Sequence, residues 1–156
     1  MARQAAKRGI PVIIFDVTGG YGWENVGQHY ADIDSFLFAA RTTRGCLAIA
    51  DETSQALDRW DRETYFLTTT IRHLGSKSIL VSNRYRDLAV SIRENFRTIY
   101  CFRCTFQTQR ALEDDYGELP QIPHFPDLQF IRIQPPEKPV IGTIDNTYTR
   151  VNMSIG

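Results

Sequence analysis

Asp51 and Glu52 are adjacent carboxylates that close a short apolar run, Cys46-Leu-Ala-Ile-Ala50. Such a pair can divide the work of a phosphoryl-transfer centre. Asp51 would hold a divalent cation through water, and Glu52 would polarise the attacking water as general base or orienter. Two other apolar runs also end in polar groups, residues 10–15 at Asp16 and residues 78–82 at Asn83. Asn83 could bond the nucleophilic water or a terminal phosphate. Positive charge must also meet the developing transition state, and Arg72, Arg84 and Arg86 lie close in sequence to these strand ends. The same carboxylates, Asp16, Asp51 and Glu52, would equally serve a magnesium-dependent nuclease by holding metal directly. Each feature alone has a plainer explanation. An acidic pair can cap a helix N-terminus, an Asn after a strand is commonly a turn residue, and Arg72 fits a solvated helix face.

The elements that must position these groups follow from periodicity. Residues 2–8 read as the last turns of a helix stopped at Gly9. Residues 10–15 and 46–50 are continuous apolar runs with β-branched residues, which suit strands buried on both faces. Between them, 17–28 reads as a loop rich in glycine and aromatics, and 33–40 is apolar at helical spacing. Residues 61–74 read as a helix capped by Asp61 and closed by Gly75. Residues 78–82 form a third short strand. Residues 87–96 are amphipathic, with Leu88, Ile92 and Phe96 on one face. Residues 99–106 read as a fourth strand, and 107–116 as a helix closed by Gly117. Beyond this, prolines from Pro120 to Pro139 cut the chain into extended pieces. Residues 128–133 alternate as a strand, and 140–144 with 147–151 would form a hairpin around Asp145-Asn146.

Strand alternating with helix implies right-handed crossovers and an α/β fold, a mainly parallel sheet with helices on both faces and a short β-rich tail. The 156 residues suit a single domain, with a core over 2–117 and a tail over 118–156. Ligands in such sheets bind beyond the carboxyl ends of the strands, where Asp16, Asp51-Glu52 and Asn83 all fall.

Composition narrows the classes further. The formal net charge is zero, so no global field draws the chain onto nucleic acid. Yet 15 arginines stand against 3 lysines. That bias favours forked phosphate contacts and inter-subunit ion pairs, or reflects genome composition. No apolar run is long enough to span a bilayer and no signal peptide is visible, so a cytoplasmic location is expected. Three cysteines argue against a disulfide framework. Cys101-Phe-Arg-Cys104 has C-x-x-C spacing, but residues three apart on a strand face opposite ways. A shared metal is therefore disfavoured unless the chain turns there. His29, His73 and His124 show no ligand spacing.

The order of these motifs resembles the FtsK/HerA-like clan of P-loop motor ATPases, and within it the genome-packaging ATPases of tailless, membrane-containing phages. Pro11-Val-Ile-Ile-Phe-Asp16 looks like the strand after the phosphate-loop helix. Cys46-Leu-Ala-Ile-Ala-Asp-Glu52 resembles a Walker B strand. Ile71-Arg-His-Leu-Gly75 resembles the Arg-bearing helix end before a sensor strand, and Ser78-Ile-Leu-Val-Ser-Asn83 that sensor strand. The zonula-occludens-toxin-like phage assembly proteins share the Arg-His-x-Gly pattern and are near competitors. The resemblance implies Asp51 as the Mg2+ acid, Glu52 as the catalytic acid, Asn83 as the sensor, Arg72 as a finger acting on a neighbouring subunit, and Asp16 as a contributor to the ATP site. It further implies a homo-oligomeric ring, hexameric in the clan, that moves double-stranded DNA and engages capsid or portal components, in the host cytoplasm or on the virion. No G-x-x-x-x-G-K-[ST] phosphate loop is present. The loop is expected upstream of Met1 or on a separate chain. A non-hydrolysing scaffold or DNA- and capsid-binding relative is the alternative, and the nuclease a further one.

Overall fold

The computed structural model describes residues 1–17, 23, 25–51, 65–145 and 151–155. The chain divides into two compact units, Met1–Asn95 and Phe96–Gly156.

The first unit is built on four parallel strands, β1 (Val12–Phe15), β2 (Gln28–Tyr30), β3 (Leu47–Ala50) and β4 (Lys77–Leu80), in the order β2-β1-β3-β4. Every residue of β1 and β3 is buried. Successive side chains leave a strand on opposite faces, and both faces are covered. Ile13, Phe15, Ala48 and Ala50 pack with Phe36, Leu37 and Ala40 of α2 (Ile33–Thr42) and with Leu67 and Ile71. Val12, Ile14, Leu47 and Ile49 pack with Ala2 of α1 (Ala2–Lys7) and with Val26. The helices therefore flank the sheet on both sides, as the unbroken apolar runs imply.

Local chemistry sets the ends of these elements. Asp32 caps α2, its Oδ2 accepting the Ser35 N–H at 2.8 Å. The expected helix over 61–74 is seen from Phe66 as a π turn, Phe66–Thr70, that tightens into a 3-10 turn, Ile71–Leu74. Gly75 closes it at φ 71, a left-handed conformation that glycine adopts without penalty. The start of that helix, with its Asp61 cap, lies outside the described residues. The amphipathic stretch over 87–96 is shorter than its pattern suggests. A 3-10 turn, Tyr85–Asp87, precedes one α turn, Val90–Arg93, with Leu88 and Ile92 buried as expected.

The second unit is an antiparallel sheet of order β5-β6-β7-β8, formed by Ile99–Phe102, Gln129–Ile133, Val140–Ile144 and Val151–Ile155. Here one expectation is corrected. The strand over 99–106 is not a fourth parallel strand. It ends at Phe102 and pairs antiparallel with β6, Ile99 opposite Ile133 and Phe102 opposite Phe130. The reason is visible in its burial, which alternates between half-buried and exposed. A sheet covered on both faces demands burial on both sides, whereas an antiparallel edge strand does not. The helix Phe106–Tyr116 begins where that strand was expected to continue. Thr105 caps it by accepting the Thr108 N–H at 3.2 Å, and Gly117 ends it at φ 83. The final hairpin forms, but β8 lies further along than 147–151, pairing Ile144 with Val151 and Val140 with Ile155.

Candidate active site at the carboxyl rim of the parallel sheet

The register of β1, β3 and β4 is level at the carboxyl end, Phe15 opposite Ala50 and Ala50 opposite Leu80. The ladder runs one residue beyond it. The Asp51 N–H donates to the Phe15 carbonyl at 3.0 Å, and the Val81 N–H to the Ala50 carbonyl at 2.9 Å. On the other side of β1, the Asp16 N–H donates to the Tyr30 carbonyl at 3.0 Å. Asp16 and Asp51 are thus neighbours at the ends of adjacent strands. Alternation along each strand carries both toward the face that α1 covers, the face of Val12, Ile14, Leu47 and Ile49.

Asp16 is 4% exposed, one of three buried polar residues among those described, and Asp51 is half-buried. Both make further interactions within the protein. Two ionised carboxylates on neighbouring strand ends would repel if their oxygens converge, and a divalent cation between them would relieve that repulsion. Among the described residues no group of three His, Cys, Asp or Glu could hold a metal. Magnesium, however, takes one or two carboxylates and completes its shell with water and phosphate oxygens. The hard oxygen donors of this rim fit that demand. Glu52 lies outside the described residues.

Asn83 follows β4 on the same rim and is exposed. A Ser82 turn shapes the chain there: the Ser82 hydroxyl donates to the Arg84 carbonyl at 3.0 Å and accepts the Arg84 N–H at 3.3 Å. Tyr85, 9% exposed, anchors the segment beneath the Arg93 guanidinium, 5.1 Å from its ring. Arg84 and Arg86 flank that anchor and are exposed.

Arg72 lies at the other end of the sheet. Leu74, two residues on, accepts the Gly45 N–H at 3.0 Å, and the Ser76 hydroxyl accepts the Cys46 N–H at 3.0 Å. Both contacts fix the last helical turn to the amino end of β3. Asp16, Asp51 and Asn83 therefore share one rim, and Arg72 does not join them within this chain.

One component escaped the sequence reading. β2 supplies the carbonyl that fixes Asp16, yet Gln28 and His29 are polar and exposed, so no apolar pattern marks the strand. The signal lies in Asp32, since a helix cap preceded by a crossover implies a strand just before it. His29 is structural, its Nε2 lying 3.2 Å from the Trp23 carbonyl. A groove of about 510 Å3 runs along α2 between Tyr30, Asp34, Phe38 and Thr42, on the opposite face of the sheet from the acid pair.

A parallel sheet flanked by helices, joined to a small antiparallel sheet and carrying acids at its strand ends, has a fold like that of the P-loop NTPases. Solved structures share it. The genome-packaging NTPase B204 from Sulfolobus turreted icosahedral virus 2, in complex with AMPPCP, aligns over 96% of this chain and 84% of its own, with a TM-score of 0.66 and 14% identity. The DNA-packaging ATPase B204 from Sulfolobus turreted icosahedral virus aligns over the same shares, with a TM-score of 0.64 and 13% identity. The sulfate complex of the first protein gives a TM-score of 0.68 at 15% identity over 88% of this chain and 83% of that one. No protein-family model matches the chain, and no curated protein sequence matches it significantly. At such identities the likeness establishes the fold, and the resemblance to packaging ATPases drawn from motif order holds at that level. Among the described residues no helix is long and apolar enough to cross a membrane.

Proposed function

We propose that this chain is the acid-bearing part of a viral genome-packaging NTPase, driving DNA translocation with ATP and Mg2+. The observation that carries this reading is the level carboxyl rim, with Asp16, Asp51 and Asn83 on a fold shared with packaging NTPases solved with AMPPCP and ATP-gammaS. Asp51 would hold the magnesium, and Glu52 would orient the attacking water. Asn83 would sense the terminal phosphate, and Asp16 would support the nucleotide site from within the sheet. When bound, the metal would neutralise charge on the transferring phosphoryl group.

Arg72 cannot reach this rim within its own chain, so its proposed role is in trans, toward the rim of an adjacent copy in a homo-oligomeric ring. A hexamer acting on double-stranded DNA with capsid or portal components is the assembly this reading carries, with the 156 residues working as one NTPase-like domain in the host cytoplasm. The sequence holds no G-x-x-x-x-G-K-[ST] cradle for the β- and γ-phosphates. Hydrolysis therefore requires that cradle from another segment or chain.

The deciding experiment supplies the phosphate-loop segment, in cis or as a separate chain, and measures Mg-dependent ATP turnover with Glu52→Gln as control. Turnover abolished by Glu52→Gln supports the motor. A stable assembly with neither turnover nor an ATP-induced rise in Tm would instead leave the scaffold role.

The adjacency of Asp16 and Asp51 favours a second reading, a magnesium-dependent nuclease. Nicking of plasmid DNA with Mg2+ and no nucleotide, lost in Asp16→Asn, would select it.

A further inference from the structure

β5 lies at the edge of the antiparallel sheet β5-β6-β7-β8. Which of its residues bond β6 follows from one contact on the far side of β6. The Ile144 N–H donates to the Leu128 carbonyl at 2.9 Å, one step beyond the Gln129–Thr143 pair. Backbone groups along a strand point alternately to its two neighbours, so bonded pairs alternate with unbonded ones. Phe130 and Arg132 therefore bond β7, and Ile131 and Ile133 bond β5. Ile131 faces Cys101 and Ile133 faces Ile99. Ile99 and Cys101 thus complete the ladder, while the N–H and C=O of Tyr100 and Phe102 point outward along the open edge. Among the described residues, the group that reaches this edge is the Cys101 thiol, 3.3 Å from the Phe102 carbonyl. Tyr100 and Phe102 also carry exposed side chains, at 44% and 43%, with each ring 5.5 Å from that of Phe130. Proteins commonly blunt such an edge with charge, proline or a bulge. The strand Ile99-Tyr-Cys-Phe102 has neither charge nor proline, and its register with β6 is unbroken.

We propose that the open edge of β5 pairs with the β5 edge of a second copy of this chain, antiparallel and across a two-fold axis, so that two four-stranded sheets become one. Tyr100 then lies opposite the partner's Phe102, and each such pair exchanges both of its N–H···O bonds. Cys101 meets its own counterpart on the axis as an unbonded pair. The strands approach there to about 4.5 Å between Cα atoms, and a small side chain fits. Ile99 lies opposite the partner's Arg103, so no like charges are opposed. The exposed aromatics become cross-strand neighbours, Tyr100 against Phe102 at both ends of the contact. An axis through Tyr100 instead would leave Phe102 opposite Thr98, which lies outside the strand. An uncharged edge offers nothing to select an acidic or a basic segment, whereas this one complements itself in donors, acceptors and rings. A two-fold contact closes after two copies and does not propagate around a ring. It is therefore separate from the ring contact in which Arg72 would act.

Amide hydrogen exchange of the whole chain at rising protein concentration tests this, with sedimentation velocity beside it. As dimers form, the Tyr100 and Phe102 amides should slow by about tenfold or more. The Ile99 and Cys101 amides, already bonded to β6, should hold one rate throughout. Tyr100→Pro deletes an outward N–H without touching a bond to β6. It should keep the wild-type circular dichroism and weaken dimerisation by about tenfold or more. If that variant fails to fold, the wild-type exchange pattern alone decides. Self-association unchanged in a folded Tyr100→Pro would overturn the proposal. So would edge amides that exchange at one rate at every concentration, or that gain protection only when a different protein is added, which would give the edge to a foreign strand.

Discussion

The Asp51 amide bonds the Phe15 carbonyl at 3.0 Å, and this one contact sets Asp51 beside Asp16. Both acids are mounted on strands buried on both faces, so their spacing is fixed by the sheet rather than by loops. In the assembly completed with a phosphate loop, Asp51→Asn should lower Mg-dependent ATP turnover by about 10²–10³-fold. Cooperative unfolding, followed by circular dichroism, should persist. Undiminished turnover would remove Asp51 from the metal site.

Gly27 is required by a close approach of backbones. A Cβ there would sit 2.3 Å from the Val12 carbonyl oxygen and 2.8 Å from its Cβ. Gly27→Ala should push β2 from β1 and cost about 1–3 kcal/mol, read as a lower urea midpoint. Because β2 holds the Asp16 amide, the same variant should disturb the rim, and backbone amide exchange at Asp16 should accelerate.

Phe36 is fully buried against Phe15, with ring centroids 5.8 Å apart. Phe36→Ala should cost about 3–5 kcal/mol through lost burial and the cavity left behind. Phe38 on the same helix is 69% exposed, so Phe38→Ala should change stability by less than about 0.5 kcal/mol. Equal effects at the two positions would contradict the assignment of the buried face of α2.

Burial pushes the Cys101 thiol from its ordinary 9.0 up to about 12. The folded chain binds the proton more tightly than the unfolded chain. The resulting stabilisation is full below pH 9 and falls away as pH rises toward 12. Wild type should therefore lose more stability across that window than Cys101→Ser, measured by denaturant melts at successive pH values. Iodoacetamide should modify Cys104 before Cys101 throughout the rise.

The parallel core was legible because β1 and β3 are unbroken apolar runs, a pattern that sheets covered on both faces impose. β2 was not, since three residues at an exposed edge leave no hydrophobic signature. The residues of β5 were read as a strand but given the wrong partner, because strand propensity does not specify a neighbour. Its alternating burial only becomes apparent once β6 lies beside it. At the site, Asp16, Asp51 and Asn83 could be recognised as strand-end polar residues. That Asp16 and Asp51 are adjacent required the register, and that Arg72 stands at the far end required the Gly45–Leu74 bond. The end of β5 at Phe102, short of Phe106, is a boundary that a one-dimensional pattern leaves open by a few residues.

The two-faced packing of β1 imposes a parity rule on the chain. Val12, Ile14 and Asp16 share one side of the sheet, while Ile13 and Phe15 serve the other. A single residue inserted within β1 would exchange the two sets and turn the Asp16 carboxylate into the hydrocarbon around Phe36. Two inserted residues would restore its side. The interval between the start of this strand and its terminal acid can therefore drift over evolutionary time only in even steps, whatever happens to the identities of the residues between.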